Sequence, residues 1–281
     1  VEIKATDVKA LRDKTGAGMM DCKKALLEAG GNFDRAERIL KELGLAAARK
    51  RAGRQTRAGR VFSKLDEKRG ALLELDCETD FVAMNKDFIA LGQRLTGAVL
   101  EGGTQVRREE LDSLVQQAVG VIKENIELRR YGVLEAGPQE LLVNYIHGEG
   151  NIGVLLKFTL SDSKLKESGR VREVAFDLTL HTAAFAPLFL SRAQVPAAYL
   201  EEQEGIFAKQ AAATGKPDNV VKGITAGKLN KHLAGVCLVD QAFVKDQDLK
   251  VSKVLESLGK EVGGKVEISD YLYYRVGEER A

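Results

Sequence analysis

Three carboxylates alternate in Asp76-Cys77-Glu78-Thr79-Asp80, and a phenylalanine, Phe81, follows them directly. Acids at alternate positions of an extended chain share one face, and oxygen ligands so spaced suit a hard cation such as Ca²⁺. The rest of the stretch does not. Phe81 occupies the place where a calcium loop needs glycine for its sharp turn, and Asp87 stands where the last, bidentate ligand should be Glu. With a metal site set aside, the default for the stretch is a solvated acidic corner with Phe81 folded back into the core, unless the remainder of the chain argues otherwise.

Other candidate chemistries fail in context. Gly148-Glu149-Gly150-Asn151-Ile152-Gly153 fits the dinucleotide fingerprint by letter, but that fingerprint needs a helix to begin at the glycines and aim its amides at phosphate. The β-prone Val154-Leu155-Leu156-Lys157-Phe158 follows instead, so a hairpin turn is expected. No GxxxxGK[ST] phosphate loop is present, and no bound cofactor or metal is expected on this chain. His147, just ahead of the turn, could carry a proton, yet no Ser, Cys or Asp stands with it in a nucleophile motif. His181, between helical apolar positions, and His232 read as structural or surface residues. Cys22, Cys77 and Cys237 are far apart and lack paired spacing, which argues for reduced thiols in or near cores over a disulfide framework or zinc site.

The elements that must position these residues are legible from periodicity. Thr6 is placed to cap a helix carrying Val8 and Leu11 that Thr15-Gly16 would end. A second helix puts Met19, Cys22, Leu26 and Ala29 on one side, with Met20 off that stripe beside Lys23 and Lys24. Asn32 caps a third with Phe33, Ala36, Leu40 and Leu43, and Gly44 suits its left-handed end. After the basic run Ala48–Arg60, which has six cations and no acid, Val61–Leu65 and Ala71–Asp76 read as a hairpin. Helices around Phe88–Leu100 and Leu111–Ile122 follow, then a strand over Ile126–Leu134. Phe81 therefore sits at a strand-to-helix corner. The pattern recurs from Leu141 to Val276, with about 57 extra residues in the second copy, roughly between Pro187 and Lys245. That insertion reads as a helical hairpin turning at Thr214-Gly215-Lys216-Pro217. The apolar Phe185-Ala186-Pro187-Leu188-Phe189-Leu190 at its root has no functional explanation in the sequence.

A chain of 281 residues, 44% hydrophobic and 30% charged, is long enough for two or three domains. No run approaches the roughly 18 apolar residues of a membrane span, and Val1-Glu2-Ile3-Lys4 carries no apolar leader, so a cytoplasmic protein without a membrane partner is expected. Residues 1–60 hold 15 Lys/Arg against 8 Asp/Glu, whereas the rest holds 28 against 33, so the first module is physically distinct. Its basic run could grip phosphates, and a ribosome- or RNA-associated binding protein is the rival reading. No aromatic residues interleave there for base stacking and the charge beyond turns acidic, which favours a solvated linker and no direct nucleic acid contact.

Two runs carry a resemblance. Leu11-Arg12-Asp13-Lys14-Thr15-Gly16-Ala17-Gly18-Met19-Met20-Asp21-Cys22-Lys23-Lys24-Ala25-Leu26 closely resembles the N-terminal signature of the elongation factor Ts family, nucleotide exchange factors of elongation factor Tu, and Thr79-Asp80-Phe81-Val82-Ala83 matches that family's second signature. The resemblance extends in order over nearly the whole chain, strongest before Phe88 and weakest in the insertion. It implies that the Asp80-Phe81 pair, within Thr79, Asp80, Phe81, Val82 and Ala83, inserts near the Mg²⁺ side of the partner's GTPase domain. It also implies that Arg12, Met19, Met20 and Lys23 touch that domain, and that His147 anchors another. By the same resemblance the chain would act on GDP and Mg²⁺ held by its partner, without covalent chemistry, and the arm is the candidate for a dimer contact. The expected architecture is α+β. A ubiquitin-associated-like three-helix module and basic linker (1–54) precede half-domain N (55–140). Half-domain C is split (141–186 and 246–281) around an inserted coiled-coil arm (187–245), and each half-domain has a small antiparallel sheet on helices.

Overall fold

Apolar residues three and four apart make the start of the chain helical. α1 (Ala5–Thr15) buries Val8 and Leu11 and stops where Gly16 adopts the left-handed conformation at φ 68°. Thr6 does not cap it: Lys4 holds that position, and the Thr6 hydroxyl turns to Asp7. α2 (Met19–Glu28) buries Cys22, Ala25 and Leu26. Met19 is 46% exposed and leaves the buried stripe on which its spacing put it, because it opens the helix one turn above Cys22. α3 (Phe33–Arg51) is capped by the Asn32 side chain, which accepts from the Arg35 N–H as that residue type predicts.

Gly44 does not end α3. The helix runs on through Ala46-Ala47-Ala48 to Arg51, so Arg49, Lys50 and Arg51 belong to its last turn and not to a linker, and only residues 52–57 join it to the next element. The demand for glycine at the helix crossing falls on Gly120 instead. A Cβ on Gly120, in the helix that crosses α3, would stand 2.7 Å from the Gly44 Cα, whereas a Cβ on Gly44 would meet the Gly120 Cα at an ordinary 3.6 Å. Gly120→Ala should therefore lower stability by about 1–3 kcal/mol through overpacking. Gly44→Ala should raise it by up to about 1 kcal/mol through helix propensity. Urea midpoints of the two variants should move in opposite directions.

β1 (Ala58–Leu65) and β2 (Arg69–Cys77) form an antiparallel hairpin with Val61 opposite Glu74. Asp66 closes its turn by accepting from the N–H groups of Lys68 and Arg69, both at 2.7 Å, and these bonds hold its carboxyl below the usual range. A single helical turn, α4 (Asp80–Ala83), then leads into α5 (Lys86–Gly102), α6 (Arg108–Ile122) and β3 (Ile126–Glu135). α5 lays Phe88, Leu91, Leu95 and Val99 into a core shared with Leu73 and Leu75 of β2 and Leu111 and Val115 of α6. Phe62 and Phe88 meet there with ring centroids 6.3 Å apart.

The second half repeats this order with additions: β4 (Glu140–His147), β5 (Ile152–Leu160), α7 (Gly169–Phe185), α8 (Ala197–Ala212), α9 (Asp218–Val236), the short β6 (Ala242–Phe243) and β7 (Asp246–Lys250), α10 (Val251–Val262) and β8 (Val266–Arg275). The three-stranded sheets are ordered β1-β2-β3 and β4-β5-β8, so each adds its last strand beside the second strand of its hairpin. The class is α+β. α8 and α9 pair across residues 213–217, where Gly215 turns at φ 67°. The apolar root of this pair is structural. Leu188 and Phe189 donate to the Val236 carbonyl, Leu238 donates back to Phe189, and Phe189 packs edge-on to Tyr199 at 5.1 Å.

The computed structural model describes residues 3–278; Val1, Glu2 and residues 279–281 of the C-terminal segment lie outside it. It comprises two units. Of the described residues, one unit holds those up to Val133, Ile146–Gly153 and 274–278; the other holds Leu134–Tyr145 and Val154–Tyr273. Among the described residues no helix is long and apolar enough to cross a membrane.

Candidate functional site

β2 ends at Cys77, so the three acids do not stay on one face. Asp76 is buried, Glu78 accepts from the Asn125 N–H at 2.7 Å and pairs with Arg54, and Asp80 is exposed at the start of α4, accepting from the Phe81 N–H at 3.0 Å. Among the described residues no group of three or more His, Cys, Asp or Glu side chains could hold a metal ion.

Phe81 is 82% exposed. A one-turn helix has no stability of its own, and α4 is fixed from both ends. At its N-terminus Thr79 caps, its hydroxyl accepting from the Val82 N–H at 3.3 Å. The same hydroxyl and the Thr79 N–H donate to the two carboxylate oxygens of Glu124, at 2.7 and 3.0 Å. At its C-terminus the Ala83 carbonyl accepts from Arg60 Nε at 2.6 Å. Ala83 is buried and Val82 half-buried against the same core, so the anchoring residues of the turn face inward while Phe81 and Met84 face out. The expectation that a phenylalanine here folds into the core by default does not hold.

Met20 is 64% exposed, and with Met19 and Lys23 it forms one outward face of α2, three and four residues apart. Arg12 is exposed in the last turn of α1. From α2, Asp21 pairs with Lys123 Nζ at 3.4 Å, and Lys123, which ends α6 at φ 69°, directly precedes Glu124. A short polar path thus runs from the methionine face to the Thr79 cap.

His147 is exposed at the end of β4, and its carbonyl closes the following turn by accepting from Gly150 and Asn151. Gly148 and Gly150 have φ 59° and 100°, and β5 follows with no helix, so the glycines turn a hairpin. The Gly150 carbonyl accepts from the Val61 N–H at 2.7 Å, and Glu149 pairs with Arg60 at 3.0 Å. Two cations of the basic run are thereby engaged within the fold, Arg54 by Glu78 and Arg60 by Ala83 and Glu149. The other histidines serve packing. His181 is buried between Gln241 and the Val244 N–H, and burial lowers its pKa; His232 bonds the Tyr199 hydroxyl at 2.8 Å.

Under the turn lies an electrostatic cost that the sequence did not disclose. Glu74 is fully buried beside Arg130 at 2.6 Å and accepts from the Gly277 N–H, and burial still raises its pKa. Asp76, two residues on and on the same face, leaves its buried Oδ1 without a hydrogen bond. Burial first, then the charges of Glu74 and Glu127, push its carboxyl up to about 7. A carboxyl held above its unfolded value binds its proton more tightly when folded. Its contribution is complete below about pH 4 and is lost as pH rises toward 7. Asp76→Asn should therefore gain stability over wild type as pH rises from 5 to 8, levelling off above 7 at about 2–4 kcal/mol. Melting curves across that range check it, and a constant difference would refute it. Next to it, burial, Glu124 and Asp76 push the Cys77 thiol up to about 12.

The profile of the family described as Elongation factor TS matches residues 78–278. The chain is 45% identical over 278 residues to Elongation factor Ts of Borrelia hermsii, covering 99% of this chain and 100% of that protein. It is 44% identical over 277 residues to Elongation factor Ts of Treponema denticola, covering 99% of each. Against Elongation factor Ts of Borreliella afzelii the identity is 42% over 276 residues, with 98% and 99% covered. At that identity and coverage, the chain belongs to the elongation factor Ts family of translation elongation factors.

Proposed function

We propose that this chain is the guanine nucleotide exchange factor of elongation factor Tu and that Phe81 is its wedge. The observation that carries the reading is a large aromatic 82% exposed on a turn tied at both ends. An apolar ring held rigidly in water has no role in the fold and suits insertion into a partner. Asp80-Phe81 enters near the Mg²⁺ and phosphate side of the partner's GTPase domain. Mg²⁺ and backbone amides neutralise the charge of the bound diphosphate, so displacing either raises its free energy. Coupling is reciprocal: what weakens GDP binding is itself bound more weakly in the presence of GDP, and incoming GTP then expels it. The chain performs no covalent step.

One ring does not suffice. Accelerating release about 10⁴-fold takes roughly 5.5 kcal/mol, and burying a phenylalanine supplies about 1.5–3 kcal/mol. Arg12, Met19, Met20 and Lys23 on the helical module and His147 on its hairpin supply the remaining contacts, holding the partner while the wedge distorts its site. The test is release of a fluorescent GDP analogue from elongation factor Tu at low and high Mg²⁺. The expected result is acceleration by this protein that excess Mg²⁺ blunts; release unchanged by its addition would overturn the assignment.

A further inference from the structure

We propose that Arg60 is a positioning residue that locks the Phe81 turn to the His147 hairpin, so that the two act as one rigid contact surface. The inference rests on the wedge reading above and goes beyond it, since Arg60 belongs to neither signature and carries none of the contact roles assigned to the site. Its guanidinium serves both segments at once. Nε donates to the Ala83 carbonyl at 2.6 Å and one terminal nitrogen donates to Glu149 at 3.0 Å, reaching 23 and 89 positions along the chain. The stem is held as well. The Arg60 side chain is only 17% exposed, and Gly150 lies against it so closely that an added Cβ would stand 3.1 Å from Arg60 Cβ. The adjacent Val61 N–H bonds the Gly150 carbonyl, so the strand carrying Arg60 is sewn directly to the hairpin it reaches toward.

Two physical points give this arrangement a function. The last carbonyls of a helix lack partners within it, and in a helix of one turn the Ala83 carbonyl is a principal handle on the position of Phe81. A charge-assisted bond there fixes the wedge before it meets the partner, which spares the ordering cost at the encounter. Glu149, in contrast, is 71% exposed in the free protein, where such a pair contributes little. A partner that covers the hairpin removes water from the pair and strengthens it. Docking at His147 therefore tightens the hold on Phe81, and binding at one segment is converted into stiffness at the other.

The fork geometry makes the proposal specific to arginine. Lysine keeps the charge, but its single nitrogen is a point donor in place of the fixed fork that spans both acceptors. In nucleotide-release assays with elongation factor Tu, Arg60→Lys and Arg60→Met should each reduce the maximal release rate about 10-fold. The concentration giving half that rate should change by less than about 3-fold, because the module's own contacts persist. Glu149→Gln should cost less alone and add almost nothing on top of Arg60→Met, as expected for residues sharing one link. Phe81→Ala, run alongside, separates the two ideas. If Phe81→Ala is impaired while both Arg60 variants release nucleotide as fast as wild type, the positioning role is overturned and the wedge stands. If Phe81→Ala is not impaired, the wedge reading itself fails. Should Arg60→Met prove unfolded, Arg60→Lys carries the test, and a rate loss matching only its unfolded fraction in a melting curve would overturn the role.

Discussion

Phe81→Ala is expected to leave the protein folded and to remove most of its effect on the partner. The ring contributes almost nothing to the core, since 82% of the residue is already in water, so the melting midpoint should correspond to a stability change within about 0.5 kcal/mol. Once inserted, the same ring would gain about 1.5–3 kcal/mol of burial. Losing that from the barrier to release slows it roughly 10- to 150-fold at saturating protein. Stopped-flow release of labelled GDP measures the second quantity and calorimetry the first. Phe81→Leu should recover part of the rate, because it restores apolar area without the flat ring. A variant that melts several degrees lower would place Phe81 in the core after all, and one that speeds release like wild type would remove the wedge.

Phe88→Ala should do the reverse. Seven residues on from Phe81, Phe88 is fully buried against Phe62 in the core that β2 shares with α5 and α6, and truncating it should leave a cavity there. The expected loss is about 3–5 kcal/mol, a large share of the 5–15 kcal/mol that holds an ordinary domain together. Denaturant midpoints would fall accordingly, while the protein that remains folded at low temperature should, on the proposed function, still speed nucleotide release from its partner. A loss below about 1 kcal/mol would mean that the helix carrying Phe88 repacks, and the core assignment would have to be redrawn.

The contrast between these two rings shows what periodicity conveys. Phe88, Leu91 and Leu95 recur at helical spacing, and the helix they predict is present with that face buried. Hairpin signals around Gly70 and Gly150 were equally readable, as was the duplication that appears as two sheets of the same strand order. Phe81 obeys no period, and its exposure follows from Glu124 and Arg60, partners 43 positions ahead and 21 behind, which no local pattern announces. Gly44 failed for a related reason. Its residue type signals a helix end, but the helix runs on past it to Arg51, and the crossing makes a missing side chain necessary only on the other helix, at Gly120. For the basic run, composition shows charge but not the carboxylates that the fold brings to Arg54 and Arg60. Asp76 shares residue class and spacing with the acids that follow it, and only the end of β2 at Cys77 leaves Asp76 inside and Asp80 outside.

The buried thiols have a practical consequence. Cys22, Cys77 and Cys237 are all buried, and the one nearest the Phe81 turn, Cys77, is held as a thiol to about 12. Alkylating reagents attack the thiolate, so at neutral pH the folded protein offers them almost no background. A single Met84→Cys substitution, at an exposed position next to the turn, would then be the preferred attachment point for a fluorophore or spin label. With no native cysteine removed, such a probe would report in real time whether a partner arrives at the Phe81 turn.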